Sequence, residues 1–467
     1  MSKRKQPPRR HARRGVGERA GAGEELEVTI ERILPGGVGL AHAEGRTVFV
    51  ALAAPGDHLR VRVESVRGRV LFASIVEVLS PSPARVEPPC PYFGRCGGCD
   101  FQQLDYRAQL SAKVEIIRDC LRRVARVEPP SEIHITPSPL EWHYRSRARW
   151  QHDPVRNFLG YYERGSHRVC DVVECPVAAP EVQRRLTRLR ELMSEGRLPS
   201  GALEFEAVAG DGGGVSLAPS VEPGDEREQT RLIAGERYRF DAACFFQINH
   251  ALLEPLVREG LRDASEETES ETAREETESE TARDTLEAAA RDGVSETVNH
   301  LAGENASYVS GETALDLYAG VGLFTLPLAR RFTNVVAVEG NAASTHYARR
   351  NLSDADLSNA RVETGAVGTW LARNAERLGS ADFILLDPPR AGAEPDAVRG
   401  ILDLNPRHIS YVSCDPATLA RDLLAFTNAG YRLASVRAFD LFPQTHHVET
   451  VVHLYRSSEN ADVSENV

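Results

Sequence analysis

The sequence predicts an α/β protein of three folded parts: a small N-terminal β-barrel, a central α+β region, and a C-terminal parallel sheet with helices on both faces. Three observations carry this expectation. Residues 24–80 alternate apolar and polar positions between Gly-rich turns, which is the period of half-buried strands. After residue 311, short apolar runs alternate with helical stretches, the pattern of repeated strand–helix units. Between these lies an Arg-rich region that holds seven of the eight cysteines.

Composition sets the outer limits. A chain of 467 residues suits about three domains at roughly 100–200 residues each. With 41% hydrophobic and 27% charged residues it reads as soluble and globular. No apolar run approaches the ~18 residues of a membrane span, and the basic N-terminus lacks the apolar stretch of a secretory signal. A cytoplasmic protein, monomeric and without membrane contact, is expected. Eight cysteines are too few for a disulfide scaffold, so they read as ligands or nucleophiles.

The formal charge of −12 argues, taken whole, against a nucleic-acid partner, because phosphate binding rests on Lys and Arg. The charge is unevenly spread. Residues 1–20 carry +7, within a basic tail (1–23) expected to be disordered. The insertion 264–311 carries −10, and in it EETESETAR stands at 266–274 and again at 275–283. Such a polar duplication builds no core. The tail 457–467 adds −3, which leaves −6 for everything else. Nearly all the cationic side chains are Arg; Lys stands only at 3, 5 and 113.

The barrel, residues 24–80, turns at Pro35-Gly36-Gly37 and Pro55-Gly56-Asp57, so several short antiparallel strands are expected. Its length suits a closed barrel of the oligonucleotide-binding kind. The central region, 81–245, opens with a helix at about 103–127, expected to pack on the C-terminal domain. Strand-like segments follow at 143–151 and 157–172. Between 118 and 190 there are 14 arginines against nine acidic residues. Arg145, Arg147 and Arg149 alternate along a strand and share one face, either a phosphate-binding surface or a plain solvated one. The C-terminal domain, 246–456, reads as strands at 313–318, 334–339, 360–365, 382–387, 408–414 and 431–439. Helices are expected near 323–332, 342–352 and 417–426. Such sheets bind ligands at the carboxyl ends of their strands.

Four motifs fall where chemistry is expected. Asp316-Leu317-Tyr318-Ala319-Gly320-Val321-Gly322 is a strand end passing into a Gly-rich turn, where a cofactor can approach the backbone. Glu339 closes the next strand and suits ribose hydroxyls. The pair fits a dinucleotide or S-adenosylmethionine about equally, and the missing third Gly disfavours NAD. Asp387-Pro388-Pro389-Arg390 makes a stiff loop that fixes Asp387 beside such a ligand. Cys414, in Val412-Ser413-Cys414-Asp415-Pro416, stands at a strand end before a helix, whose N-terminus is expected to lower the thiol pKa. Glu449 is its candidate partner base. Finally, Cys90, Cys96 and Cys99, with Cys175 downstream, suit an iron–sulfur cluster or a structural zinc. Cys120, Cys170 and Cys244 read as packing residues, with Cys170 a rival to Cys175.

Taken together, CPYFGRCGGC, FFQIN, LDLYAGVGLFTLPLA, VEGN, LLDPPRAG, VSCDPATLARD and THHVET resemble the bacterial RNA uridine-5-methyltransferases. The similarity is greatest to those with an N-terminal TRAM barrel and a four-iron cluster that act on 23S ribosomal RNA, and it covers about 24–263 and 312–456. The resemblance implies a Rossmann-like class I methyltransferase domain behind a central iron–sulfur, RNA-binding domain. It implies that Gln247, Tyr318, Glu339 and Asp387 bind S-adenosylmethionine, that Cys414 is the nucleophile and that Glu449 is the general base. Cys90, Cys96, Cys99 and Cys175 would hold a [4Fe–4S] cluster. Leu323 stands where some relatives place Asn. A tRNA-directed uridine-5-methyltransferase and a non-catalytic RNA-binding protein are the competing readings.

Overall fold

The computed structural model describes residues 21–199, 201–263 and 307–456. The acidic duplication, nearly all of the basic tail and the whole acidic tail lie outside the described residues. Two compact units form, one of residues up to 32 with 38–83, the other of 33–37 with the residues from 84 on.

The N-terminal sheet has six strands, β1 (Glu25–Thr29), β2 (Arg32–Leu34), β3 (Val38–Ala43), β4 (Arg46–Ala51), β5 (His58–Arg67) and β6 (Val70–Ser80). The order is β1-β5-β6-β4-β3-β2. Alternate residues point inward: Val48 and Val50 on β4, Leu59, Val61 and Val63 on β5. The expectation of purely antiparallel strands fails at one place, because β4 and β6 pair in parallel. Strand β5 lies between them in sequence and pairs with β6 through three register shifts. Such bulges bend a long hairpin so that its second strand reaches back to β4. The turn at Pro55-Gly56-Asp57 is closed by the buried Asp57 carboxylate, which accepts from Ala54 N (2.6 Å) and Ser82 N (3.0 Å).

In the second unit, α1 (Tyr106–Cys120) starts at Asp105, whose carboxylate caps Ala108 N at 2.8 Å. Next come β7 (His134–Thr136), β8 (Arg147–Asp153), β9 (Phe158–Tyr162), β10 (Val169–Asp171), α2 (Pro180–Ser194), β11 (Glu204–Ala209) and β12 (Val215–Ala218). Strands β8 to β12 make an antiparallel sheet in the order β10-β9-β8-β11-β12. The Val182, Leu186, Leu189 and Met193 stripe of α2 packs on Trp150, Leu159 and Phe205 of that sheet. A hairpin, β13 (Gln229–Ile233) and β14 (Glu236–Phe240), leads into α3 (Leu253–Gly260).

The strand–helix repeat then builds β15 (Gly311–Leu317), α4 (Thr325–Ala329), β16 (Phe332–Glu339), α5 (Ala342–Asp354), β17 (Ala360–Thr364), α6 (Val367–Leu378), β18 (Phe383–Leu386), α7 (Pro395–Leu404), β19 (His408–Ser413), α8 (Pro416–Asn428), β20 (Tyr431–Phe439) and β21 (Glu449–Arg456). The sheet order is β17-β16-β15-β18-β19-β21-β20-β7. Every residue of β18 and β19 is buried, as expected of central strands covered on both faces. Two features escape sequence periodicity. β21 runs antiparallel between β19 and β20, and β7, from the central region, adds a parallel edge strand beside β20. The first of these places the carboxyl end of β19 beside the start of β21. Among the described residues no helix is long and apolar enough to cross a membrane.

Candidate active site

The parallel register Leu317↔Val338 sets the first turn. Tyr318 N and Ala319 N both donate to Val338 O, at 2.9 and 3.1 Å. Tyr318 is held at φ +64°, a strained conformation for a bulky side chain of the sort that clusters at ligand sites. Its hydroxyl donates to Glu394. Gly320 takes φ +56°, and a Cβ there would meet nothing within 4 Å, so the space before this turn is open. Glu339 reaches back to the turn, accepting from Gly320 N (2.9 Å) and Asn341 N (2.6 Å).

Asp387 follows β18, and its N–H continues the ladder by donating to Leu317 O at 3.2 Å. The Gln247 side-chain amide donates to its carboxylate at 3.3 Å. Gln247, Tyr318, Glu339 and Asp387 thus come from three strand ends and one loop. Leu323 is buried in the apolar core.

The second centre comes from strand pairing. Ser413 pairs with Thr450, so one rung further out Cys414 and Glu449 are neighbours. Glu449 is 1% exposed and neither carboxyl oxygen has a hydrogen-bond partner. Burial, then repulsion from Asp387, raises its pKa well above the ordinary carboxylate range, with Arg390 opposing. An orphaned buried carboxyl costs stability, and the places that carry such groups are disproportionately functional.

One expectation fails here. The net shift of the Cys414 thiol is upward, not downward. Burial, followed by the nearby Glu449 and Asp387, pushes it up to about 12, and only Arg390 opposes. The positive end of α8 is already engaged, because the Asp415 carboxylate accepts from Ala417 N and Thr418 N at 2.9 and 3.0 Å.

Asp316, Arg390 and Phe245 stand inside these motifs, but no local pattern assigns them a role. Asp316 is fully buried, Thr325 donates to one of its oxygens and the other has no partner. Burial pushes its carboxyl up to about 7, and burial likewise pushes Asp387 to about 7. Arg390 is the cation that acts on both Cys414 and Glu449. A third residue, Phe245, is 58% exposed two positions before Gln247, an aromatic surface on which a base can stack. In sequence only the Phe245-Phe246 pair is visible, and nothing in it tells which ring faces solvent.

These shifts have a testable consequence for the ligand-free protein. A carboxyl whose folded pKa is raised holds a proton that the unfolded chain has released, so stability falls as pH rises between the two values. For Asp316, moving from 3.8 to about 7 corresponds to about 4 kcal/mol lost once pH exceeds 7. Chemical denaturation should show stability declining from pH 5 to 8, and Asp316→Asn should flatten that decline. An equal slope in the variant would refute the assignment.

The arginine stripe on β8 is not a free cationic face. Arg147 pairs with Glu206, and Arg149 contacts Glu206 at 2.5 Å and Glu204 at 3.7 Å, both on the neighbouring β11. Arg145 instead lines a cavity with Cys90, Cys96, Cys99 and Cys175. Gly97 and Gly98 allow that wrapping: a Cβ at Gly97 would stand 3.1 Å from Tyr162 O. Cys170 is buried and its sulfur accepts from Arg95 Nε at 3.2 Å; Cys120 and Cys244 are also buried. Among the described residues no three His, Cys, Asp or Glu side chains gather around a single ion position.

Comparison with known proteins gives consistent results. Residues 300–457 match the model of the tRNA (uracil-5-)-methyltransferase family, and residues 19–76 match the TRAM domain. The 23S rRNA (uracil(1939)-C(5))-methyltransferase RlmD of Alkalilimnicola ehrlichii is 33% identical, over 94% of this chain and 98% of that protein. Its counterpart from Pseudomonas aeruginosa is 34% identical, over 92% and 94%. The crystal structure of Pyrococcus abyssi tRNA (uracil-54, C5)-methyltransferase in complex with S-adenosyl-L-homocysteine superposes with a TM-score of 0.62, covering 92% of this chain and all of that one at 24% identity.

Proposed function

Because the chain belongs to the RNA uracil-5-methyltransferase family, we propose that it methylates carbon 5 of a uridine in 23S ribosomal RNA, acting as a cytoplasmic monomer. The observation that carries this reading is that Cys414, one residue past the Ser413–Thr450 pair, lies beside Glu449, at the same strand ends as the Gly turn and Asp387. The 23S substrate rests on relatives 33–34% identical over nearly their whole length.

Gln247, Tyr318, Glu339 and Asp387 would hold S-adenosylmethionine, which supplies the methyl group on a cationic sulfonium. The donor set suits a cation: Asp316 and Asp387, held near 7 by burial, ionise more readily when a positive charge arrives. The open face of Gly320 leaves room for it.

Carbon 5 of uracil is too weak a nucleophile to take a methyl group unaided. The Cys414 sulfur adds at carbon 6 and makes carbon 5 enolate-like. After carbon 5 is methylated, Glu449 takes its proton, and the electron pair so released expels the Cys414 sulfur. Arg390, acting on both groups, supports the ionised forms. The target base must leave its stack to reach this pocket, and Phe245 offers a face for a base. The Cys414 proton leaves to water as the sulfur adds, and Arg390 favours the charge that forms on the sulfur.

Cys90, Cys96, Cys99 and Cys175 would hold the [4Fe–4S] cluster, a structural group that orders the central domain for RNA docking. Their common cavity supports this reading, and zinc is the rival occupant. Anaerobically purified protein is expected to contain iron and acid-labile sulfide at about four each per chain. Both should be lost in Cys175→Ser and kept in Cys170→Ser. Zinc without sulfide would replace the cluster.

The functional reading is tested by methyl transfer to transcripts of 23S ribosomal RNA and of tRNA, followed by nucleoside analysis. 5-Methyluridine confined to the 23S transcript is the expected result. Product only in tRNA would redirect the assignment, and no product in either would leave an RNA-binding protein.

A further inference from the structure

The buried stripe of α1 is Gln109, Ala112, Lys113, Ile116, Ile117 and Cys120. Two of its members are polar, yet Gln109 is 1% exposed and Lys113 is completely buried. Both reach residues 440–448, the connection between β20 and β21 that ends at Glu449. The Lys113 ammonium donates to the Asp440 carboxylate, itself fully buried, and to Phe442 O at 3.1 Å. The Gln109 amide donates to the Gln444 side chain at 3.0 Å and accepts from Gln444 N at 2.9 Å. Gln444 is held at φ +68°, a strained conformation that persists only when its surroundings impose it.

Two further ties act on the same connection. Tyr144 donates to Pro443 O at 2.9 Å. Asp100, directly after Cys99, accepts from His446 N at 2.8 Å and from the His446 ring, while Asp100 N and Phe101 N donate to Gln444 O at 3.1 and 3.0 Å. Glu449 has no hydrogen bond of its own to fix its carboxyl. Its placement therefore comes from its backbone, which pairs with Phe439 in the sheet and is led in by the 440–448 connection.

From these contacts we infer that Lys113 and Gln109 are positioning residues for Glu449, locking 440–446 so that the carboxyl meets the carbon 5 proton. The inference rests on Glu449 being the base. Stability alone is a poor reason for the Lys113–Asp440 pair, since replacing a buried ion pair by apolar groups is often neutral or stabilising.

The base acts last, which gives the inference a distinctive readout. If Glu449 is displaced, addition and methyl transfer proceed, but the Cys414–uracil bond is not released. Lys113→Met and Gln109→Met are therefore expected to lower turnover roughly 10- to 100-fold, with the apparent KM falling alongside kcat because release of the covalent complex becomes the slow step. A denaturation-stable complex with unsubstituted RNA should accumulate. Adduct formation with 5-fluorouridine RNA, which does not need the base, should keep its wild-type rate. If Lys113→Met fails to fold, the doubly apolar Lys113→Met/Asp440→Leu variant and Gln109→Met carry the same test. Wild-type turnover, or slow turnover with fluorouridine adduct formation reduced in parallel, overturns the proposal. Glu449→Gln is the control. If it stalls on RNA while the clamp variants do not, only the positioning role is lost; if it turns over normally, the base assignment falls first and the positioning role with it.

Discussion

Cys414→Ala protein should still bind S-adenosylmethionine and RNA and yet lose methyl transfer by a factor on the order of 10⁶, the effect seen when a nucleophile is deleted from an otherwise intact site. Binding survives because the proposed cofactor contacts come from β15, β16, β18 and the Gln247 loop, none of which depends on the thiol. Transfer fails because the proposed nucleophile is gone. The direct assay uses 5-fluorouridine RNA. Sulfur adds and the methyl group arrives, but fluorine cannot leave as a proton does, so wild-type enzyme should remain covalently attached through denaturation. Cys414→Ala should form no such complex. The thiol, pushed up to about 12 in the ligand-free protein, adds a second expectation: adduct formation should accelerate as pH rises from 6 to 9. An adduct that forms without Cys414 would end the nucleophile assignment.

The parts of this site legible in the sequence are those that local pattern controls. Asp387 and Cys414 each end an apolar run, and the Gly turn after Leu317 needs backbone conformations that its sequence announces. What was not legible depends on pairing between distant segments. Nothing local shows that β21 inserts antiparallel beside β19, which is what makes Cys414 and Glu449 neighbours. The thiol shift escapes the sequence for the same reason: a helix start is visible there, whereas two buried carboxyls from other strands are not. Arg147 and Arg149 alternate as a phosphate-binding face would, but the acids that neutralise them lie on β11, more than fifty residues away. Lys113 did leave a trace, as one of three lysines in an arginine-rich chain, set on the apolar stripe of a helix.

Glu449→Gln should separate the two ends of the reaction and expose what the site costs the fold. Glutamine keeps the shape of the side chain but cannot take the carbon 5 proton. With ordinary, unsubstituted RNA the variant should add sulfur, accept a single methyl group per enzyme and stop, leaving a covalent complex that wild-type enzyme never accumulates. Multiple turnover should fall by several orders of magnitude while the first methyl transfer stays near the wild-type rate. Stability should move the other way, with a defined pH signature. The Glu449 pKa is raised in the folded state by burial and by Asp387, so the folded protein retains a proton that the unfolded chain loses above its ordinary carboxylate pKa. Below that value glutamate and glutamine are both neutral, and the two proteins should melt together. As pH rises, wild type loses stability and the variant does not, so the gap in Tm should open between pH 5 and 8. A variant that gained stability equally at every pH would show that the benefit comes from packing rather than from charge. One that turned over at the wild-type rate would remove Glu449 from the chemistry altogether. The combination expected here, a more stable protein that traps its own substrate, is the mark of a carboxyl kept in an unfavourable place because the final proton must be taken there.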